Sequence, residues 1–342
     1  MFHDFGNETK TSHTIIEHAK FAIVDAHIHL GGRYRFEQYW KKYDLADVIS
    51  GLRNLGVCHV VNLELFTKKH WDFAWNRTAP YREFVSMCAP INFERINDDD
   101  FESITLDEMN YYSNKGACGF KVWKSLGLYI RKSNGELYSP NDPRLSFIWK
   151  EAAHLGLPIV IHIGDPPSFW EPVDACNERY VELAANPKWS YCGLEIKYVE
   201  LLQEMEMLLR NNPQTIFVAA HLCSAAHDLD YVSKLLDAYE NLYVDVAAVL
   251  SEIGRRPARF KIFASEYCDR ILFGTDYFAG DILPHIPFFR FLETAEEDFP
   301  YMTDGSYSQG LWNISGCKLP ENVLEKIYSE NARRVFGILG VE

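Results

Sequence analysis

The chain has 342 residues, of which 47% are hydrophobic, and this length allows one large domain or two ordinary ones. Its formal net charge of −14 disfavours nucleic acid and anionic membrane surfaces as partners. No apolar run reaches the roughly 18 residues of a membrane span, and the N-terminal stretch lacks the hydrophobic core of a signal peptide. These features predict a cytoplasmic protein with one domain over 1–342, in which residues 1–20 form an N-terminal extension.

A short apolar strand followed by a helical stretch recurs along the chain. Eight strands are predicted, in the order FAIVDAHI, VCHVVNLEL, EFVSMCAPIN, CGFKVW, PIVIHIG, TIFVAAHL, LYVDVAAV and RILFGTD. The helix between them is least clear at KKHWDFAWNRTAPYR, and the eighth helix is ENVLEKIYSENARRVFGIL. Eight buried strands alternating with helices predict an α/β fold, a single (β/α)8 TIM barrel. The doubly wound alternative has less support, because no GxGxxG follows the first strand.

Three segments exceed ordinary loop length, namely 124–143, 164–196 and 277–319. Each follows a predicted strand, so in a barrel each lies on the face formed by the C-terminal ends of the strands. Active sites of this fold lie on that face. We therefore expect the three long loops to cover a pocket there.

The first predicted strand ends in VDAHIHLGG, which places His27 and His29 one residue apart. Alternate strand residues share a face, so both imidazoles point the same way just before glycines that let the chain turn. Two converging imidazoles form half of a metal site. Ordinary hydrogen bonds of two half-exposed strand histidines would explain the pair equally well.

Three later strands also end in a side chain that can bind a metal. The fifth ends in His162, the sixth in His221 and the eighth in Asp276. Taken singly, these would be core histidines and a helix N-cap, but a barrel gathers them beside His27 and His29. Three histidines and a carboxylate suit Zn²⁺ with a position left for water, whose pKa the ion lowers to about 7. Asp276 would take a proton from that water and deliver it to a leaving group.

Across nearly its whole length, the sequence resembles the amidohydrolase superfamily, and within it the amidohydrolase 2 branch. That branch includes hydrolases of C–O and C–C bonds and the aminocarboxymuconate-semialdehyde and resorcylate decarboxylases. The matching segments, in the family's order from about residue 22 to 339, are VDAHIHLGG, GFKVWKSLGLYI, PIVIHIGDPPSFWEPVD, FVAAHLCS, LYVDVAAV, RILFGTDYF and IYSENARRVFGI. The resemblance implies a TIM barrel of the metallo-dependent hydrolase type.

The resemblance also implies a role for each matching residue. His27, His29, His162 and Asp276 match the positions that hold one divalent ion, with Zn²⁺ expected and Mn²⁺ or Fe²⁺ as alternatives. His221 matches a histidine that acts on the substrate rather than on the metal, and Asp276 is acid/base as well as ligand. A homodimer is the expectation at the level of the family.

Lys121 lies on the fourth strand, where relatives with two metals carry a carbamylated lysine that bridges the ions. A second ion is therefore expected only if Lys121 is carbamylated. If Lys121 points into the barrel as a free cation, it would bind a substrate carboxylate or pair with an acid such as Asp245. Lys124, at the mouth of the same strand, is an equal candidate for substrate contact.

Other candidates for substrate binding follow the strand ends. Arg33 and Arg35 come just after the HxH turn, where they would clamp a carboxylate or remain solvated loop charges. Trp123, Trp170 and Tyr277 would line an aromatic pocket. Because aromatic residues make up 14% of the chain, some clustering there is expected in any case.

The sequence therefore predicts a metal-dependent hydrolase that uses a metal-activated water on a small-molecule substrate. The substrate would be an ester, lactone, amide or C–C compound, carboxylated or ring-derived, with His221 polarising its carbonyl and Asp276 moving the proton. The first alternative is a non-hydrolytic decarboxylase of the same family, which uses the same ligands. The second alternative is a non-catalytic barrel that binds a metabolite.

Overall fold

The structure is a computed structural model that describes residues 14–31, 43–63, 68–302 and 308–339. Nine parallel strands form one sheet in the order β8-β7-β6-β5-β4-β3-β2-β1-β9. The strands are β1 Ile23–His29, β2 Val57–Asn62, β3 Val85–Pro90, β4 Gly119–Val122, β5 Ile159–Ile161, β6 Phe217–Ala219, β7 Leu242–Asp245, β8 Ile271–Leu272 and β9 Tyr277–Phe278. The sheet closes between its ends, because the N–H of Ala26 in β1 donates to the carbonyl of Phe273 just after β8 (2.9 Å).

Helices alternate with the strands and pack on the outside of the barrel. The helices are Leu45–Asn54, Lys68–Arg77, Phe101–Lys115, Ser146–His154, Tyr180–Ala185, Tyr198–Asn211, Leu229–Ala238, Pro257–Glu266, His285–Glu293, Glu321–Glu325 and Asn331–Phe336. A π-helical stretch, Lys326–Glu330, joins the last two, and shorter turns lie at Ser125–Leu128, Ala220–Cys223 and Leu250–Ile253. None of the described helices is long and apolar enough to cross a membrane. The predicted (β/α)8 TIM barrel is confirmed.

The barrel interior is apolar at one end. Side chains from six strands meet there, and the C-terminal helix closes that end with Val335 and Phe336. The strand residues of this layer are Val24, Ala26, Val61, Cys88, Val160, Val218 and Leu272. Each buried apolar side chain of this kind contributes about 1.5–3 kcal/mol. The apolar layer fills this end of the barrel, and the polar residues at the strand ends lie at the opposite, C-terminal face.

A bulge in β1 sets the direction of the two histidines. Asp25 lies opposite Val60 of β2, whereas Ile28 lies opposite Asn62, so three steps along β1 match two along β2. One extra residue in a strand reverses which side chains face inward. Ala26 belongs to the interior layer, and the bulge allows His27 also to point into the barrel.

Two details of the fold differ from the predicted elements. The eighth strand is not continuous from 270 to 276 but is divided into β8 and β9, with Asp276 between them at φ 60°. The segment 277–319, predicted as a loop, contains β9 and the helix His285–Glu293. Pro287 disfavours a helix when the sequence is considered alone, but it lies in the first turn of this helix, where proline is tolerated.

Part of the predicted N-terminal extension is described. The N–H of Ala19 donates to the carbonyl of Leu55 (3.0 Å), and the Ala19 side chain is buried. Ala19 therefore packs against the barrel just after the helix that precedes β2.

Candidate metal centre

Three predicted ligands meet at the C-terminal mouth of the barrel. Nε2 of His27 lies 3.4 Å from Oδ1 of Asp276, and Nε2 of His29 lies 3.1 Å from the same oxygen. Ligand atoms of the three residues all fall within 4.8 Å of one another. Both histidines are buried, whereas the Asp276 side chain is 25% exposed and is open to a ligand.

The backbone around Asp276 is strained and is held by hydrogen bonds. The N–H of Asp276 donates to the carbonyl of His27 (2.9 Å), which fixes the residue against β1. Its φ of 60° is a left-handed conformation that costs an L-residue about 1–2 kcal/mol. This hydrogen bond holds the strained conformation, in which the carboxylate lies beside the two histidines.

A buried carboxylate, Asp25, links the two sequence segments that carry these ligands. Its Oδ1 accepts from the backbone N–H groups of His27 (3.2 Å) and Thr275 (3.1 Å). Its Oδ2 accepts from the Thr275 hydroxyl (2.6 Å) and from Nε2 of His285 (3.0 Å). Asp25 thus ties β1 to the segment just before Asp276, and His285 on the outer helix supports it.

A second buried carboxylate, Asp245 at the end of β7, fixes the protonation of His27. Its Oδ2 lies 2.8 Å from Nδ1 of His27. Because an ionised carboxylate only accepts, Nδ1 of the neutral ring donates this bond and Nε2 keeps its lone pair. The other oxygen, Oδ1, accepts from the N–H groups of His221 (2.7 Å) and Ala247 (3.2 Å).

These contacts fit a divalent cation. The lone pair on Nε2 of His27 faces a carboxylate oxygen of Asp276. Two such acceptors repel each other, and a cation bound between them would remove this repulsion. Burial lowers the pKa of both His27 and His29, which favours the neutral form that binds metals. Burial alone would raise the pKa of Asp276, but the hydrogen bond with His29 and the electrostatic influence of the neighbouring imidazoles outweigh burial and hold that pKa well below its usual range. The carboxylate is therefore ionised at neutral pH.

His221 lies beside these ligands on a left-handed turn. Residues 221–224 all have positive φ, and none of them is glycine. The ring centroid of His221 is 5.0 Å from that of His27, and Nδ1 donates to the carbonyl of Ala247 (2.8 Å). Nε2 of the neutral ring is therefore the nitrogen available to a ligand.

His162 lies on the far side of His221, with ring centroids 4.4 Å apart. Its Nε2 donates to the carbonyl of Gly164 (2.9 Å) and lies 3.5 Å from Oδ1 of Asp165. Burial, and then His221, lower the pKa of His162 to about 3, so its ring is neutral and Nδ1 carries the lone pair. Among the described residues, the ligand atoms of His27, His29 and Asp276 lie within 4.8 Å of one another, but His162 does not belong to this group.

The predicted substrate contacts occupy different places. Trp123 is 40% exposed at the mouth, whereas Trp170 is half-buried and donates Nε1 to the carbonyl of Ile196 (3.0 Å). Tyr277 is buried with its ring centroid 6.2 Å from that of His285, and Phe278 is the aromatic ring that stacks on His29 (4.5 Å).

Both predicted lysines lie near the mouth, in different surroundings. Lys124 bonds to Asp165, which also accepts from the hydroxyl of Tyr191. Lys121 is buried on the inner face of β4. Arg33 and Arg35, the two predicted arginine contacts, lie outside the described residues.

Two residues of the site were not assigned roles from the sequence, namely Asp25 and Asp165. Asp245 was named only as a partner for Lys121. Its place at the end of LYVDVAAV is the same signal that singled out Asp276, so the strand-end pattern could have found it. Asp25 lies two residues before His27 and carries no such signal, because its partner His285 is on an unpredicted helix.

Comparison with known proteins identifies the family. A family model described as Amidohydrolase matches residues 24–338. The chain therefore belongs to the amidohydrolase family and is an enzyme of that family. The resemblance inferred from the sequence motifs is confirmed. No curated protein matches the chain.

Solved structures share the fold over nearly their whole length. One is a probable 2-pyrone-4,6-dicarboxylic acid hydrolase from Acinetobacter baumannii with citric acid bound (15% identity, 93% of this chain, 100% of that chain, TM-score 0.52). Another is a 4-oxalomesaconate hydratase from Rhodopseudomonas palustris (12%, 93%, 96%, 0.55). A third is a dihydroxybenzoic acid decarboxylase from a Polaromonas species, with bound manganese and the inhibitor 2-nitroresorcinol (12%, 94%, 98%, 0.53). At these identities the likeness concerns the fold alone.

Proposed function

We propose that this enzyme is a metal-dependent hydrolase acting on a carbonyl group of a small carboxylated or ring-derived molecule. The observation that carries the proposal is the convergence of the His27, His29 and Asp276 ligand atoms, with the protonation of His27 fixed by Asp245. His162 would complete the ligand set through Nδ1, since its Nε2 is committed to Gly164. Zn²⁺ is the proposed ion, because nitrogen ligands with one carboxylate suit it.

A bound divalent ion would supply Lewis acidity, which polarises a carbonyl and lowers the pKa of water. The chain's own residues would handle the proton. Asp276 is ionised and partly exposed, so it can accept a proton from the attacking water and pass it to the leaving group. An ionised carboxylate suits this base role better than the donor role that protonating a carbanion in decarboxylation requires.

His221 would stabilise the oxyanion that forms on the attacked carbonyl. Because Nδ1 already donates to Ala247, Nε2 can donate to the substrate only when the ring carries both protons. The role proposed for His221 is therefore that of a charged hydrogen-bond donor.

The test combines metal analysis with the fate of oxygen and carbon. Protein purified without added metal would be analysed as wild type, His29→Ala and His154→Ala, where His154 is an exposed histidine at a helix end. We expect about one zinc per chain, lost only in His29→Ala. The zinc-loaded enzyme would then be screened on esters, lactones, amides and aromatic carboxylates in H₂¹⁸O. Incorporation of ¹⁸O into the product would support hydrolysis. Release of CO₂ without ¹⁸O in the remaining product would mean that the enzyme is a decarboxylase. Absence of bound metal would overturn the proposal.

We also propose that the enzyme works in the cytoplasm. All eight cysteines are free, although the Sγ atoms of Cys88 and Cys118 lie only 3.8 Å apart. A reducing compartment keeps such neighbouring thiols reduced. Fractionation of the native host, with the protein followed by antibody, tests this location.

A further inference from the structure

Lys121 occupies an unusual position for a charged side chain. It is 2% exposed, and its Nζ has no hydrogen-bond partner among the described residues. A lysine is almost never fully buried unless its ammonium group is paired, because removing the charge from water is costly. The group is therefore expected to gain a partner when the protein carries a ligand.

The carboxylates nearest to Lys121 are already engaged. Asp245, at the end of β7, and Asp276, between β8 and β9, attract its charge, but the first accepts from His27 and the second contacts His29. Burial is the largest effect and lowers the pKa of Lys121 to about 8, against the attraction of the two carboxylates. The ammonium form still predominates at pH 7, so the group that lacks a partner is a cation.

Lys121 also lines a cavity of about 300 Å³ between β3 and β4 at the barrel mouth. This volume is at the lower end of the range of small-molecule sites. The remaining lining residues are Pro90, Ile91, Asn92, Phe93, Glu94, Trp123, Ser125 and Ile130. Most of the wall is apolar or aromatic, so a ligand that reaches Lys121 must carry an apolar body.

The charge of Lys121 also influences the metal centre, because it contributes to lowering the pKa of both His27 and His29. Glu94, which is exposed, stands among the lining residues and would repel a second negative group. The cavity therefore favours a ligand with one anionic group.

We propose that this cavity is a substrate subsite in which Lys121 pairs with a spectator carboxylate attached to a flat apolar body. The reacting carbonyl of the same molecule would then lie at the metal centre. Small aromatic or unsaturated monocarboxylates are the substrate class that this arrangement fits. The placement of the reacting carbonyl at the metal centre rests on the proposed hydrolase function. Binding of the carboxylate at Lys121 does not require the metal.

Benzoate and its uncharged analogue benzamide can test the subsite directly. Calorimetric titrations would use metal-free and zinc-loaded wild type, Lys121→Met, and Lys150→Met as a matched loss of charge on an exposed helix position. We expect Lys121→Met to weaken benzoate binding tenfold or more while benzamide binding is unchanged, because one charge-assisted bond is lost. Lys150→Met should bind both probes as the wild type does. Retained benzamide binding shows that the variant is folded.

A second arm addresses Glu94 and the alternative chemistry of Lys121. Isophthalate, which carries a second carboxylate, should bind more weakly than benzoate. Glu94→Gln should reduce this difference in affinity, because it removes the repelling charge. Equal or undetectable binding of benzoate and benzamide to the wild type overturns the subsite. A ¹³C carbamate signal after addition of labelled bicarbonate, with a second zinc that Lys121→Met loses, overturns it as well. If charge-dependent benzoate binding holds but zinc does not bind, the subsite stands and the proposed hydrolase falls.

Discussion

Two sides of the barrel mouth differ in how completely their polar groups are satisfied. On the side of β1, β7 and β8, the buried carboxylates Asp25 and Asp245 together accept seven hydrogen bonds. On the side of β3 and β4, the buried Nζ of Lys121 has no partner among the described residues, and Lys121 lines a cavity. The first side is organised before any ligand arrives, whereas the second is completed only by a ligand.

This difference separates the part of the site that performs chemistry from the part that selects substrates. Groups that must hold an ion and move a proton need fixed geometry, which second-layer hydrogen bonds provide. A group that recognises a ligand gains most when its partner is supplied by that ligand. Solved structures that share this fold include a probable hydrolase, a hydratase and a decarboxylase, so the fold alone does not determine the reaction.

The largest effect is expected from Asp245→Asn, which would break the organised side. Asparagine keeps one acceptor oxygen but turns its NH₂ group toward Nδ1 of His27. The ring proton would then move to Nε2, the nitrogen that faces the metal site. We expect metal affinity to fall about 100-fold, measured by competition with a chelator. Asp237→Asn, which removes a carboxylate contact to the Tyr267 hydroxyl, should leave it unchanged, and unchanged affinity in Asp245→Asn would refute the tautomer argument.

Asp25→Asn should act mainly on stability. The buried carboxylate accepts from four donors, and an amide can satisfy only part of them. We expect a loss of about 2 kcal/mol in the free energy of unfolding, measured by urea denaturation of metal-free protein. A double-mutant cycle with His285→Phe is the control, because coupled partners give non-additive losses. Additive losses would mean that Asp25 and His285 do not act as one network.

The predictable part of the site is the part that follows from strand ends. Because a barrel brings these ends together, isolated polar residues in HIH, VIH, AAH and GTD could be assigned to one region without any structure. Of these, His27, His29 and Asp276 form a compact group in the structure. The direction of His27 depends on the β1 bulge, and nothing in the sequence marks the extra residue, since VDAHIH contains neither glycine nor proline.

The unpredictable part depends on backbone conformations that tertiary contacts impose. His221 and Asp276 both adopt positive φ without being glycine, so no residue type signals these turns. They persist because Asp245 accepts from the N–H of His221 and the carbonyl of His27 accepts from the N–H of Asp276. Long-range hydrogen bonds therefore decide the local geometry, and a sequence pattern over short windows does not include them.

The buried histidines at the barrel mouth also predict how stability depends on pH. The pKa of His162 is lowered to about 3, whereas an unfolded histidine titrates near 6.5. Between these values the unfolded chain binds a proton that the folded chain does not, so stability falls as pH falls, by about 1.4 kcal/mol per pH unit. Burial of His27 and His29 acts in the same direction.

Urea unfolding of metal-free protein at pH 7, 6 and 5 checks this dependence. His162→Asn should reduce the slope by close to one proton, and His154→Asn, at an exposed position, should not change it. Parallel curves for the wild type and His162→Asn would show that the pKa of His162 is the same in the folded and unfolded protein, which would contradict the prediction.

The smallest effect concerns the open side and tests its apolar wall. Trp123 lines the cavity but is 40% exposed, so Trp123→Ala should alter stability little. If the ring covers the body of a bound carboxylate, its removal should weaken benzoate binding about threefold, or roughly 0.7 kcal/mol, through lost apolar contact. Benzamide should weaken by the same factor, since the contact does not involve charge.

Tyr129→Ala provides the matched control for this wall. Tyr129 is also exposed and aromatic, but it packs near Tyr191 and does not line the cavity. Equal losses in the two variants would indicate a general effect of aromatic surface rather than a defined wall. If only Trp123→Ala loses affinity, and loses it equally for benzoate and benzamide, then Trp123 contributes apolar contact and Lys121 contributes charge. The two contributions to binding are then separable.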